Sequence, residues 1–240
     1  SMRVVLAYPG HLHTVPMSRF CREALESLGW TVFLCDVGSG GAARRLGDRF
    51  AETTNRLLGK SPDNRPLSNH LLRRMIRRHR PDLFLALFGF DVSLESLGWM
   101  RKEGVRTACW WLNDPFQLER SLKKARAYDD YFTNAEGCLE AYRARGIGCH
   151  FLPTACQPDV HRPVSLAPDQ AQYRSEICFA GDWSPLREQI LENLAQEFDV
   201  KIWGHWKRKV CRRSVLRPRI HDGFFPLRKW PAFAAAPRWF

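Results

Sequence analysis

The chain has 240 residues, 45% of them hydrophobic and 26% charged. Those are the proportions of a globular protein that buries a core without disulfide or metal staples, and they exclude disordered, collagenous and fibrous classes. Thirty-seven Lys and Arg against 25 Asp and Glu leave a net charge of +12, and 29 of the basic residues are arginine, whose planar fork suits phosphate and carboxylate ligands. No apolar run approaches the ~20 residues of a membrane span. The first residues carry one positive charge, a short apolar stretch and no small-residue cleavage site, so no signal peptide is expected. The eight cysteines (Cys21, Cys35, Cys109, Cys138, Cys149, Cys156, Cys178 and Cys211) form no C-x-x-C pair and no zinc-finger spacing. A reducing, cytoplasmic compartment and no metal site are the expectation.

Taken in order, short apolar runs alternate with amphipathic ones. Strands are expected at Arg3–Tyr8, Thr31–Cys35, Asp82–Phe88, Arg106–Leu112, Asp130–Thr133 and Cys149–Leu152. Helical spacing covers Met17–Leu28, closed by Gly29, then 44–58, 68–79, 93–103, Phe116–Ala127 and Asn134–Arg145. Strands that are apolar throughout belong to a parallel sheet covered on both faces. The expected fold is therefore α/β, beginning with a doubly wound, Rossmann-like domain over residues 1–160. Residues 161–174, within a proline-marked stretch, read as a linker. A second α/β unit starts at 175 with a strand at Glu176–Ala180, a helix at Pro185–Glu197 and a strand at Val200–Trp203. Residues 175–240 are too few for a complete second domain, so an incomplete one is expected.

In open parallel sheets, ligands bind outside the carboxyl ends of the strands. After the first strand, Gly10 lets the backbone approach a ligand, and His11 and His13 are candidate bases or hydrogen-bond donors. After the third come Gly89 and Asp91, the latter also a candidate helix cap. After the fourth come Asn113 and Asp114. Asp114, before Pro115 and with Gln117 three residues on, has the pattern of a capping box, and it is equally a carboxylate able to orient or deprotonate a hydroxyl. Thr133-Asn134-Ala135-Glu136 reads mainly as a second capping box, and Thr154 follows the last strand of the first domain. In the second unit, Gly181 and Asp182 precede a helix opened by Ser184-Pro185, with Arg187 in its first turn. That is an anion site by geometry and dipole. Five arginines decorate the helix at 68–79 and its end, and eight Lys/Arg lie in 201–219 near Trp203 and Trp206. Solvated faces account for most of these, and base stacking on the tryptophans is a further possibility.

The segments Pro81-Asp82-Leu83-Phe84, Ala108-Cys109-Trp110-Trp111-Leu112-Asn113-Asp114-Pro115, Tyr128-Asp129-Asp130-Tyr131-Phe132-Thr133, Leu152-Pro153-Thr154-Ala155, Phe179-Ala180-Gly181 and Lys201-Ile202-Trp203-Gly204-His205-Trp206 occur in this order. The ordered set resembles the CgeB-like (spore-maturation-type) glycosyltransferases of the GT-B fold, over about residues 3–206. The resemblance implies two Rossmann-like domains facing a cleft, an acceptor side first and a nucleotide-sugar donor side second. It implies no bound metal and no cofactor beyond the nucleotide-sugar co-substrate, because helix dipoles and basic side chains carry the diphosphate. It adds Gly204 to the donor residues Gly181, Asp182 and Arg187, and gives Asp114 or His13 the acceptor hydroxyl, with Gly10, His11, Gly89, Asp91, Asn113 and Thr154 as its surroundings. Where the family usually carries Asp, this chain has Asn113, and the family's later donor-site segments do not appear. A non-catalytic nucleotide- or sugar-binding protein is the alternative reading. A basic nucleic-acid-binding module is the weaker one, since no nucleic-acid motif accompanies the charge.

Overall fold

A computed structural model describes residues 1–10, 17–38, 41–58, 65–162 and 173–223. Its elements are β1 (Arg3–Tyr8), α1 (Met17–Ser27), β2 (Thr31–Asp36), α2 (Ala42–Leu57), α3 (Pro66–His79), β3 (Leu83–Leu87), α4 (Leu94–Lys102), β4 (Arg106–Trp111), α5 (Leu118–Ala125), β5 (Asp130–Thr133), α6 (Leu139–Arg143) and β6 (His150–Phe151). The six strands form one parallel sheet in the order β2-β1-β3-β4-β5-β6. Chain direction across the sheet reverses between β1 and β3, and such switch points open a crevice at the carboxyl edge.

Alternation along the strands builds two cores from one sheet. Val5, Ala7, Phe84, Ala86, Cys109, Trp111 and Tyr131 face one cluster, which Leu72 and Ile76 of α3, Leu97 and Met100 of α4 and Leu122 of α5 complete. Leu6, Tyr8, Leu87 and Trp110 face the other, with Met17 and Cys21 of α1 packed on it. This is why the strand interiors, Val4–Tyr8 of β1, all of β3 and Ala108–Trp111 of β4, carry apolar residues on both faces. Local signals end α1 and begin α4, with Gly29 where it is expected and Ser93 in place of Asp91. Gly29 sits at φ +80 after α1, and the Ser93 hydroxyl accepts the Ser96 N–H at the start of α4. α3 borrows its cap from a neighbour: the buried Asp48 carboxylate of α2 accepts the N–H groups of Leu67 (2.8 Å) and Ser68 (3.1 Å) and the Ser68 hydroxyl (2.8 Å).

Two expected helices are shorter than their patterns. Phe116–Ala127 narrows to α5, whose N-cap Gln117 makes no side-chain cap bond. Asn134–Arg145 divides into a 3-10 turn at Glu136–Cys138 and the short α6. The side chains that would cap both helices are drawn instead into the network described below.

Clustering of contacts separates a first unit, Ser1–Ala155, from a second that begins at Cys156. Residues 163–172 of the expected linker lie outside the described residues. The second unit holds β7 (Ile177–Ala180), α7 (Pro185–Leu194), β8 (Val200–Trp203) and β9 (Ile220–His221), its strands parallel in the order β7-β8-β9. Its core is Leu191, Val200, Ile202, Trp206, Leu216 and Ile220. β9 was not expected: two residues carry no periodicity.

Candidate functional site

In the first unit the candidates gather on the loops after β1, β3 and β4. Gly10 sits at φ +96. His11 and His13 lie outside the described residues. Gly38, which the sequence reading passed over, packs on the same turn so closely that a Cβ there would stand 2.6 Å from Pro9 Cα and 2.8 Å from Gly10 N. The sequence shows this glycine but not the backbone it must meet.

After β3, Phe88 and Gly89 both sit at φ +64. A Cβ on Gly89 would meet Cys109 Sγ at 3.0 Å and Tyr128 Oη at 3.1 Å, so this glycine answers to packing beneath it. The Lys124 ammonium of α5 donates to the carbonyls of Gly89 (2.9 Å), Phe90 (2.7 Å) and Val92 (2.7 Å). Arg120 donates to Phe90 O at 3.1 Å and lies over the Phe90 ring. Asp91 pairs with Arg65 at 3.0 Å. The cap of α4 is Ser93, so Asp91 does not serve that role. No local pattern marks Lys124, because its acceptors lie 32–35 residues away.

The post-β4 segment departs most from expectation. Asp114 does not cap α5. It is 3% exposed, and its Oδ2 accepts the hydroxyls of Thr133 (2.7 Å) and Tyr142 (2.6 Å). The Asp114–Pro115 peptide is cis, and the Asp114 N–H donates to Asn134 Oδ1 at 3.2 Å. Ser121 joins Tyr131 (2.7 Å) and Tyr142 (2.5 Å) to the network. Burial pushes the phenols of Tyr131 and Tyr142 well above their ordinary range. Burial, then the Asp114 carboxylate, pushes the Cys149 thiol up to about 12. The same stretch holds three buried polar atoms with no partner among the described residues: Trp111 Nε1, Asp114 Oδ1 and Gln117 Oε1. Buried groups of this kind are nearly always satisfied, so each calls for a ligand or water. Asn113 is half-buried and its carbonyl accepts the Gln117 N–H. Thr154 is exposed beyond β6. A cavity of about 510 Å³ lies at the opposite, amino edge of the sheet, lined by Ile76, Arg77, Arg80, Trp99 and Glu103, and it includes none of the candidates.

In the second unit, Gly181, Asp182, Arg187 and Gly204 do converge. A Cβ on Gly204 would stand 2.3 Å from Gly181 O. Gly181 donates its N–H to Trp203 O (3.0 Å), and its carbonyl accepts Trp206 Nε1 (2.8 Å). Arg187 Nη1 donates to Asp182 O at 2.7 Å, and the guanidinium lies over the Phe179 ring beside Gly181. Ser184 caps α7 by accepting the Arg187 N–H. In the same turn Glu188 is held by Trp183 Nε1 at 2.5 Å. His221, missed by the sequence reading, stacks on Trp203 at 4.7 Å. Burial, then Lys201 and Lys207, hold its pKa below the ordinary 6.5. Trp206 is fully buried and Trp203 nearly so, which corrects the idea that they offer faces for base stacking. Among the described residues no group of three His, Cys, Asp or Glu could hold a metal ion, and no helix is long and apolar enough to cross a membrane.

The fold is GT-B-like. The chain is similar to a glycosyltransferase from Rickettsia africae ESF-5, with a TM-score of 0.56 at 11% identity over 98% of this chain and 71% of that one. It is equally similar to a UDP-GlcNAc 2-epimerase from Neisseria meningitidis solved with UDP-GlcNAc, with a TM-score of 0.56 at 9% identity over 97% of this chain and 74% of that one. No protein-family model matches. In sequence the chain is similar to spore protein CgeB of Bacillus subtilis (strain 168), 23% identical over 148 residues. This bears out the resemblance read from the ordered motifs. The match covers 60% of this chain and 46% of the spore protein, so the chain spans about half the length of that curated relative.

Proposed function

We propose that the chain is the acceptor side and part of the donor side of a glycosyltransferase that takes its sugar from a nucleotide-sugar. The observation that carries the reading is the carboxyl edge of the second sheet. There the Gly181 and Gly204 backbones meet with no room for a side chain and the Arg187 guanidinium lies alongside. This close approach fixes the turn that leads into α7, and a helix N-terminus beside a fixed guanidinium suits a diphosphate. In this reading Arg187 and the α7 dipole, rather than a divalent cation, stabilise the departing diphosphate. In the first unit Asp114 Oδ1, without a partner among the described residues while Oδ2 is held by two hydroxyls, orients or deprotonates the acceptor hydroxyl. The fold likeness includes epimerases as well as a glycosyltransferase, so the choice of transfer rests on the CgeB-like motifs. The eight free cysteines support a cytoplasmic assignment.

A thermal-shift titration with UDP, GDP, dTDP and ADP at moderate salt tests the donor site. One nucleotide is expected to give a saturable, salt-resistant shift. Arg187→Ala should weaken that nucleotide about tenfold or more, the worth of a charged hydrogen bond. No shift with any of the four, or an unaffected Arg187→Ala variant, refutes the donor assignment. The alternative, a binding protein without turnover, is favoured by how deeply Asp114 is buried. It predicts the nucleotide shift with no release of nucleoside diphosphate from any nucleotide-sugar.

A further inference from the structure

α2 is amphipathic, and its apolar side faces outward. Leu46 is 65% exposed, Phe50 76% and Leu57 83%, with Leu58 at 64% just past the end of the helix. At about 100° per residue the three helical side chains fall within about 40° of one line. The inward side is polar. Asp48 is buried and caps α3, and Arg44 Nη2 donates to Asp36 O at 2.8 Å. A helix normally buries its apolar stripe. Here the polar contacts to α3 and β2 hold that stripe away from the core.

The exposed Arg45, Arg49 and Arg56 form a row along one flank of the stripe. Among the described residues the acidic one beside them, Glu52, accepts the Arg65 N–H at 2.7 Å. The surface is thus a convex apolar ridge with a basic edge. A second copy packed antiparallel on it would bring the same row of arginines against itself. A ridge of Leu and Phe flanked by arginine matches the boundary between acyl chains and anionic headgroups. We propose that α2 seats the protein on an anionic lipid surface. Leu46, Phe50, Leu57 and Leu58 enter the headgroup boundary while Arg49 and Arg56 meet lipid phosphates.

The test is co-sedimentation of the full chain with phosphatidylcholine vesicles, with and without phosphatidylglycerol. Binding is expected to the anionic vesicles alone and to fall as salt rises. Phe50→Ser with Leu57→Ser keeps every charge and should weaken binding about a hundredfold, roughly tenfold per apolar side chain. Arg49→Gln with Arg56→Gln should weaken it about twenty-fivefold, roughly fivefold per arginine. All four side chains are exposed, so circular dichroism should show the fold retained. No binding by the unaltered chain overturns the proposal. So does binding that the apolar pair leaves unchanged, which would reflect the +12 charge alone. Light scattering that shows a dimer lost in the Phe50→Ser, Leu57→Ser variant would overturn it too, by assigning the ridge to a second copy.

Discussion

Replacing Asp114 by alanine is expected to lower the stability of the first unit by about 3 kcal/mol, read by urea unfolding. The carboxylate is the acceptor for the Thr133 and Tyr142 hydroxyls, and both of those residues are fully buried. Removing the acceptor strands the Thr133 hydroxyl and leaves the Tyr142 hydroxyl only Ser121, and a stranded buried donor costs about 1–3 kcal/mol. Asp114→Asn keeps the shape and one acceptor, so about 1 kcal/mol is expected. If Asn proved as damaging as Ala, the negative charge rather than the hydrogen bonds would be what the network needs. The Asn variant also separates structure from chemistry. A folded Asp114→Asn protein without sugar transfer would place Oδ1 at the acceptor hydroxyl, and one with full transfer would leave Asp114 a structural role alone.

Alkali should attack the same network. Burial raises the phenols of Tyr128, Tyr131 and Tyr142 above the ordinary 10.0, with further contributions from Cys109 for the first two and from Asp114 for Tyr142. The folded protein therefore keeps these protons after the unfolded chain has lost them. The stability they contribute is whole below pH 10.0 and declines above it, by up to about 1.4 kcal/mol per pH unit for each tyrosine. Tyr142→Phe should make that decline shallower. A stability that stays level above this pH would contradict the burial of the phenols.

Gly204→Ala is expected to destabilise the second unit by about 3 kcal/mol and, if the proposed donor site is right, to abolish the nucleotide shift. The new methyl would lie 2.3 Å from Gly181 O and 2.9 Å from Trp206 Cδ1. Backbone on one side and a buried indole on the other leave no flexible side chain to yield, and forced overpacking costs about 1–3 kcal/mol or more. Moving Gly181 away would also break its carbonyl's bond to Trp206 Nε1. The control is Gly98→Ala in α4, where a Cβ meets nothing within 4 Å; that change should stabilise by about 1 kcal/mol. Equal melting temperatures for the two variants would refute the close approach.

Much of the fold was legible in the chain. The central strands β1, β3 and β4 are apolar in runs of four or five residues because both faces are buried, and that pattern survives in sequence. α3 shows its apolar side at Leu72 and Ile76, both buried. The donor candidates were legible as Gly-x-x-Ser-Pro before a helix, with Arg187 one turn in, because capping chemistry is local. Asp114 was legible as a residue and not as a role. Its position before Pro115 and Gln117 satisfies a capping pattern, yet its partners lie 19 and 28 residues away, and two buried hydroxyls outcompete one exposed helix end. β9 pairs two residues to β8 through a strand partner 18 positions back, with no periodicity to announce it.

The sequence by itself determined the α/β class, the parallel first sheet and the loops where ligands are to be sought, because burial on two faces and helix capping both act over a few residues. Only the tertiary structure decided which way Asp114 turns, that Gly204 must be glycine, that Lys124 gathers three carbonyls and that α2 presents its leucines and phenylalanine to the outside. Each of these depends on groups brought together from distant parts of the chain, where the cost of an unpaired buried polar group or a steric clash overrides the local preference.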